Sequence, residues 1–235
     1  MSERFLEGFV VDVKAIDALI GTPKLAAKTV RKKVGKKGVL RDLEMTLAQS
    51  WDDDEADEGG AMLDALLDAL AKGRPTKQHD AYEMTRLVAL ILTAYATRLG
   101  TIETMPHVEG DDFGLLTPVL KELKLTQMAK DYGYAYYAFP YAKRTKATTV
   151  DWPIVMSIAG PALAAWKTEL ATDWAKRLPK VSDKAFIDKE YGTSPEAIAM
   201  TRSEVGPALA KLKTWVAKAT KQKGRALVLI LDGDQ

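Results

Sequence analysis

A continuous apolar run lies near the C-terminus of the sequence, and this is the strongest constraint on the fold. The segment "RALVLIL", Arg225 to Leu231, follows a helical pattern that Gly224 closes. A run of this kind predicts a buried strand, since exposing it would cost about 25 cal/mol per Å² of apolar surface. At the other end, "FLEGFVVDV" (Phe5 to Val13) alternates and is rich in β-branched residues, which predicts a second strand. We therefore expect both segments in one sheet.

Most of the sequence between these ends has helical periodicity. The clearest helix is predicted over Ala81–Leu99, where Asp80 and Glu83 have capping-box spacing and Gly100 follows the last turn. Its wide apolar face predicts a central position. Further helices are predicted from Thr117 to Lys130, from Gly160 to Pro179, from Ser194 onward, and from Pro207 to Lys223. The predicted fold class is α+β: helix-rich, with a small mixed or antiparallel sheet that contains the N- and C-terminal strands.

Residues 1–235 are expected to form a single domain, and a subdivision would fall near residues 145–150.

In the predicted helix after Gly160, four apolar residues recur every three or four positions: Leu163, Trp166, Leu170 and Trp174. That spacing puts both tryptophans on one apolar stripe, so we expect both to be buried.

Two similar segments raise the question of an internal repeat. "SIAGPALAAWKT" (Ser157 to Thr168) and "SEVGPALAKLKT" (Ser203 to Thr214) lie 46 residues apart. A duplicated unit would produce this similarity. Gly-Pro followed by alanine and leucine is also a common helix start, and the flanking residues differ. We favour the second explanation.

Composition excludes several kinds of chemistry. The chain has no cysteine, which excludes disulfides, thiolate catalysis and cysteine-ligated zinc or iron–sulfur sites.

Charged residues interrupt the N-terminal segment where a signal peptide needs an apolar run, and the apolar run Leu87–Leu92 is far too short to span a membrane. We expect a cytoplasmic protein. A net charge of +2 argues against a general nucleic-acid binder.

Neither a cofactor nor a metal is predicted. His79 and His107 are the only histidines, and each flanks a predicted helix. Common catalytic and phosphate-binding motifs are absent from the sequence. In "WDDDEADEGG", the residues Asp52, Asp53 and Asp54 open an acidic loop, but Glu58 occupies the position where a calcium loop needs glycine. The loop is interpreted as solvated, and as a candidate surface for a basic partner.

The segment "KDYGYAYYAFPYAKR", Lys130 to Arg144, contains five of the eight tyrosines. Gly133 and the density of aromatic residues favour an extended segment, although helical periodicity fits it as well. In a strand, Tyr132, Tyr134 and Tyr136 share one face, and Tyr137 and Phe139 the other. With Lys143 and Arg144, the first three are candidates for a partner-binding surface, because tyrosine and arginine are enriched at binding hot spots. The alternative is a tyrosine ladder covered by a helix of the same domain.

Two basic clusters suggest a second kind of partner. Arg31–Lys37 and Lys143–Lys146 carry lysine and arginine beside glycine or threonine. Such clusters can bind phosphate groups. Lysine near a helix C-terminus is also what the helix dipole favours, so a solvated helix end explains the first cluster without a ligand.

Three segments resemble the YfbM-like group of uncharacterised bacterial proteins and its relatives. "FVVDVKAIDALIG" resembles their opening strand and helix; "HDAYEMTRLVALILTAYATRLG" and "DWPIVMSI" resemble a middle helix and a D-[FW]-P-x-[IV] segment; "LKTWVAKATKQKGRALVLIL" is similar to their last helix and strand. The resemblance implies an α+β fold with both terminal strands in one sheet, and a role in binding rather than catalysis.

These observations favour a cofactor-free, non-catalytic domain that binds another protein. By analogy alone, we expect it to act as an accessory or immunity-type protein in bacterial competition or defence. The alternative is a phosphate- or nucleic-acid-binding module that uses the two basic clusters. An enzyme with carboxylate or tyrosine chemistry is a third hypothesis.

Overall fold

The sheet joins the two ends of the chain. The computed structural model describes residues 4–12, 14–15, 95–103, 117–132, 154–187 and 194–233. Its strands are β1 (Arg4–Asp12), β2 (Ala96–Glu103), β3 (Ile154–Ala159) and β4 (Arg225–Gly233). Within the described residues they form one antiparallel sheet in the order β2-β1-β4-β3. The predicted α+β class and the shared sheet of the two terminal strands are confirmed.

The C-terminal run lies at the centre of the described sheet. β4 pairs with β1 from Leu6↔Leu231 to Asp12↔Arg225, and with β3 on its other side. Residues 226–229 of β4 are fully buried, and Ile230 is 9% exposed. Consecutive side chains of a strand point to opposite faces, so both faces of β4 are covered. This explains why the run is apolar without alternation.

A layer of helices packs on one face of the sheet. The helices are α1 (Thr117–Glu122), α2 (Thr126–Tyr132), α3 (Gly160–Leu170), α4 (Trp174–Arg177) and α5 (Pro195–Ala219). In the paired register, Leu227 and Leu229 share a face with Met156 and Ile158, and all four belong to the core that these helices complete. Trp215 of α5 lies directly over Gly8 of β1, where there is no side chain to exclude it.

The tryptophan stripe is confirmed, but the helix that carries it is shorter than predicted. Trp166 is 0% exposed and Trp174 is 7% exposed. The helix predicted to reach Pro179 ends at Leu170. The chain then forms α4 and two short 3₁₀ turns, Leu178–Lys180 and Asp183–Phe186.

The predicted C-terminal boundary of the Ala81–Leu99 helix is wrong. Tyr95 is helical, but β2 begins at Ala96 and continues past Gly100, whereas residues 81–94 lie outside the described residues. β2 pairs antiparallel with β1, and this ladder overrides the helical preference of the last residues. A bulge opposite Gly8 and Phe9 shifts the register there. Gly100 does not close a helix but adopts φ +123° within the strand.

A break divides the single helix predicted from Thr117 to Lys130. Lys124 adopts φ 59°, and its N–H donates to the Lys121 carbonyl at 3.0 Å. The Leu125 N–H donates to the Leu120 carbonyl at 2.9 Å. These two bonds form a Schellman motif, in which glycine usually occupies the left-handed position. Lysine stands there instead, so no glycine marks the end of the helix in the sequence.

The two helices predicted at Ser194 and Pro207 are one. Ser194 caps α5 by accepting a hydrogen bond from the Ala197 N–H at 3.1 Å, and Pro207 lies inside the helix. Buried residues on both sides of Pro207 keep the same stripe against the core: Thr201, Val205, Ala208, Leu209 and Leu212. Gly206-Pro207 is thus mid-helix, while Gly160-Pro161 opens α3 after a strand. The similar segments therefore occupy different structural contexts.

Candidate functional site

Tyr132 belongs to the core, so its assignment to an exposed binding face is wrong. It is the last residue of α2 and is 0% exposed. Its ring stacks on Trp166 with centroids 5.3 Å apart, and the Trp166 Nε1–H donates to Asp131 Oδ2 at 2.7 Å. Burial, with the nearby Asp131 carboxylate, raises the pKa of the Tyr132 phenol well above its usual range. The helix continues two residues past its predicted end at Lys130, so Tyr132 is helical and not extended.

The other predicted site residues lie outside the described residues, and their roles stay predictions. They are Tyr134, Tyr136, Lys143, Arg144, Asp52, Asp53 and Asp54. The same holds for His79, His107 and the basic clusters at 31–37 and 143–146.

Several polar side chains bind the helices to one another. The Glu169 carboxylate accepts hydrogen bonds from the backbone N–H groups of Gln127 at 2.7 Å and Met128 at 3.1 Å, at the start of α2. Arg177 donates two hydrogen bonds to the Leu123 carbonyl, at 2.7 and 3.0 Å. The side chains of Glu169 and Arg177 thus pair with main-chain groups that the short helices leave without partners at their ends.

Two further polar contacts hold the 3₁₀ turns in place. Glu122 accepts hydrogen bonds from the Ser182 N–H at 2.8 Å and its hydroxyl at 2.6 Å. Hydrogen bonding from the hydroxyl and then the backbone of Ser182 lowers the pKa of the Glu122 carboxyl. Arg202 of α5 donates to the Val181 carbonyl at 2.8 Å and lies 4.3 Å over the Phe186 ring. Both contacts tie secondary-structure elements together.

The solvent-facing side of α5 has a different character from these contacts. Six exposed residues alternate at spacings of three and four, which places them on one side of the helix. We call this side the outer face of α5: Met200, Ser203, Pro207, Ala210, Thr214 and Ala217. None of the six is charged, and Met200 is 47% exposed. An exposed helix face ordinarily carries charged residues, so an uncharged row of mostly small side chains sets this face apart and allows another element to approach it closely.

Lysines border the outer face. Lys211 and Lys218, seven residues apart, lie along one edge of the outer face, and Lys213 lies along the opposite edge. Lys211 Nζ donates to the Thr101 carbonyl of β2, which fixes that side chain beside the sheet. Within the part of the chain that the structure describes, Lys213 and Lys218 form no ion pair or hydrogen bond. In contrast, Arg98 pairs with Glu7, and Arg225 with Asp12 at 3.4 Å.

Charge is segregated along the chain. Residues 205–231 contain five lysines and Arg225 but no Asp or Glu, a net +6. The other residues carry 28 Lys and Arg against 32 Asp and Glu, a net −4. The overall +2 therefore conceals a strongly basic C-terminal segment. The sequence reasoning missed it because helical spacing spreads these lysines apart, so they form no contiguous cluster.

The described residues were also searched for metal ligands and membrane spans, and the chain was compared with known proteins. The described residues contain no group of three or more histidine, aspartate or glutamate side chains that could hold a metal ion. No helix in the same ranges is both long and apolar enough to cross a membrane. Comparisons with protein-family models, curated proteins and solved structures found no match for this chain.

Proposed function

We propose that this protein is a non-catalytic binding domain that docks another protein on the outer face of α5. The uncharged, exposed character of that face carries the proposal. α5 has 25 residues, so it presents a ridge of about 37 Å. Its inner side is fixed by Leu209, Leu212 and Trp215, each at most 1% exposed. The docking surface is thus rigid before binding, which lowers the entropic cost of association.

The outer face has the layout of an interface. Interfaces have a weakly polar centre and a charged rim, and methionine is enriched in them. Met200, Ala210 and Ala217 supply such a centre, and Lys211 and Lys218 border it. The cytoplasm is the proposed location. The proposed role is that of an accessory or immunity-type protein in bacterial competition or defence, by analogy alone.

Variants on the outer face test the proposal without disturbing the core. Ala210→Glu and Ala217→Glu add a longer charged side chain at exposed positions, so both should fold normally. Ala164→Glu, at an exposed position of α3, is the matched control. Each protein is used to capture partners from the native host, and bound proteins are identified by mass spectrometry. We expect one protein that the wild type and the control retain and both outer-face variants lose. A partner retained equally by all four proteins would place the interface elsewhere.

Nucleic acid is the second candidate partner, because residues 205–231 carry a net +6. Lysines that neutralise phosphates make the affinity fall steeply with salt. A duplex oligonucleotide that binds at low salt and is released between about 50 and 200 mM salt would support this alternative.

A further inference from the structure

We propose that the element docking on α5 is an acidic α-helix, with carboxylates placed opposite the lysines that border the outer face. This inference rests on the proposed function and specifies its partner. The spacing of the outer face points to it. Positions 200, 203, 207, 210, 214 and 217 alternate by three and four residues along one side of α5, so a second helix can lie along them as in a helix–helix seam. Met200, Ala210 and Ala217 are the apolar members of this row, and Ser203, Pro207 and Thr214 are the others.

The lysines occupy the positions that choose a partner in such a seam. With Pro207 and Thr214 as a positions and Ala210 and Ala217 as d positions, Lys211 and Lys218 are at e and Lys213 is at g. Residues at e and g border the seam and form the ion pairs that set partner and orientation. Lys211, Lys213 and Lys218 disfavour a second copy of α5 by like-charge repulsion and match a helix with Glu or Asp at the facing positions. Glu204 occupies the e position one heptad before Lys211, so this match concerns residues 207–218.

The surroundings of the lysines strengthen this charge complementarity. No Asp or Glu occurs between Val205 and Leu231, so no carboxylate of that segment competes for them. Lys211 is held beside β2 by its hydrogen bond to the Thr101 carbonyl, which leaves two of the three ammonium donors for a carboxylate. Lys213 and Lys218 are exposed and unpaired with other described residues. The helix dipole favours cations only in the last turn, so it does not account for Lys211 or Lys213.

A helix fits the outer face better than a nucleic acid does. Base stacking on exposed aromatic rings supports single-strand binding, but the only large hydrophobic side chains found exposed in the described ranges are Ile187 and Met200. Uncharged residues along the centre of the face give close van der Waals contact to another helix. Among these side chains, only the Ser203 and Thr214 hydroxyls can hydrogen-bond a phosphate.

The test measures binding of defined probes by fluorescence anisotropy. The main probe is a labelled synthetic helix of about three heptads, with alanine and leucine at a and d and glutamate at e and g. The comparison probes are the same peptide with lysine at e and g, and a duplex oligonucleotide. The test variant combines Lys211→Ala, Lys213→Ala and Lys218→Ala. The matched control combines Lys130→Ala, Lys167→Ala and Lys180→Ala, which removes the same charge at exposed positions elsewhere.

We expect the wild type and the control to bind the acidic helix, and the test variant to bind it about tenfold more weakly, as for the loss of three exposed ion pairs. The lysine peptide should not bind. Equal weakening in both triple variants, or equal binding of both peptides, would overturn the inference. So would tighter binding of the duplex with loss in the test variant, which would assign the surface to nucleic acid. If the acidic helix fails to bind while the outer-face variants still lose a captured partner, only the acidic helix is wrong and the docking face stands.

Discussion

Gly8→Ala tests the close contact that sets the position of α5 over the sheet. A Cβ at Gly8 would lie 2.4, 2.5 and 2.8 Å from three ring atoms of Trp215. Favourable carbon–carbon contacts lie at about 3.5–4.0 Å, so the ring would have to retreat by about 1 Å. Trp215 is 1% exposed, which leaves the ring little space to move. Overpacking of this kind costs about 1–3 kcal/mol, and a rigid buried ring favours the upper end of that range.

The sign of the change in unfolding free energy distinguishes a clash with Trp215 from the ordinary preference of a strand for alanine over glycine. Without a clash, replacing glycine by alanine inside a strand stabilises by about 0.5–1 kcal/mol. Urea unfolding followed by circular dichroism should instead show a loss of about 3 kcal/mol for Gly8→Ala. Trp215→Leu makes room for the new methyl group. The double variant should therefore be more stable than the sum of the two single losses predicts, by at least about 1 kcal/mol. A Gly8→Ala protein as stable as the wild type, or strictly additive losses, would refute the packing of α5 on β1.

Three further changes probe the helices beside α5. Lys124→Gly should raise the free energy of unfolding by about 1 kcal/mol in urea titrations, because glycine adopts φ 59° without strain; a loss would contradict the Schellman motif. Trp166→Ala should cost about 3–5 kcal/mol in the same assay, since it empties a fully buried site; a loss near zero would mean that the stripe is not core. Glu122→Gln should be less stable than the wild type at neutral pH, because the carboxylate accepts both hydrogen bonds from Ser182. The pKa of Glu122 in the folded protein is lowered from the ordinary 4.5, so the stabilisation by its carboxylate is complete above pH 4.5 and is lost as the pH falls through the folded-state pKa. Thermal melts in which wild type and Glu122→Gln differ by the same amount at every pH would contradict this role of the carboxylate.

The sequence predicted the features that depend on apolar patterning. The run at Arg225–Leu231 predicted a buried strand, and the spacing of Trp166 and Trp174 predicted a buried stripe; the structure has both. Helix boundaries were less predictable, because tertiary contacts decide them. Pairing with β1 converts residues 96–99 from helix to strand, and Lys124 stops a helix where glycine would have announced the stop. Pro207 looked like a helix start, although the buried stripe continues through it.

The candidate site was only partly visible in the sequence. Tyr132 was predicted at a surface because both strand and helix periodicity fit the segment, and burial cannot be read from spacing when two periods fit equally. The outer face of α5 was hidden by the prediction of two short helices, which interrupted its spacing at Pro207. The charge segregation of residues 205–231 was present in the sequence, and counting carboxylates along the chain would have found it.

Site-specific photo-crosslinking on α5 is the most direct test of the docking face. A photoreactive phenylalanine analogue is introduced at Thr214, in the middle of the outer face, and in a second protein at Thr168, an exposed position of α3. Both proteins are irradiated in the native host, and crosslinked species are identified by mass spectrometry. We predict that the analogue at position 214 captures one defined protein and that the analogue at position 168 does not. The same crosslinks from both positions, or none from position 214, would contradict a binding surface on the outer face of α5.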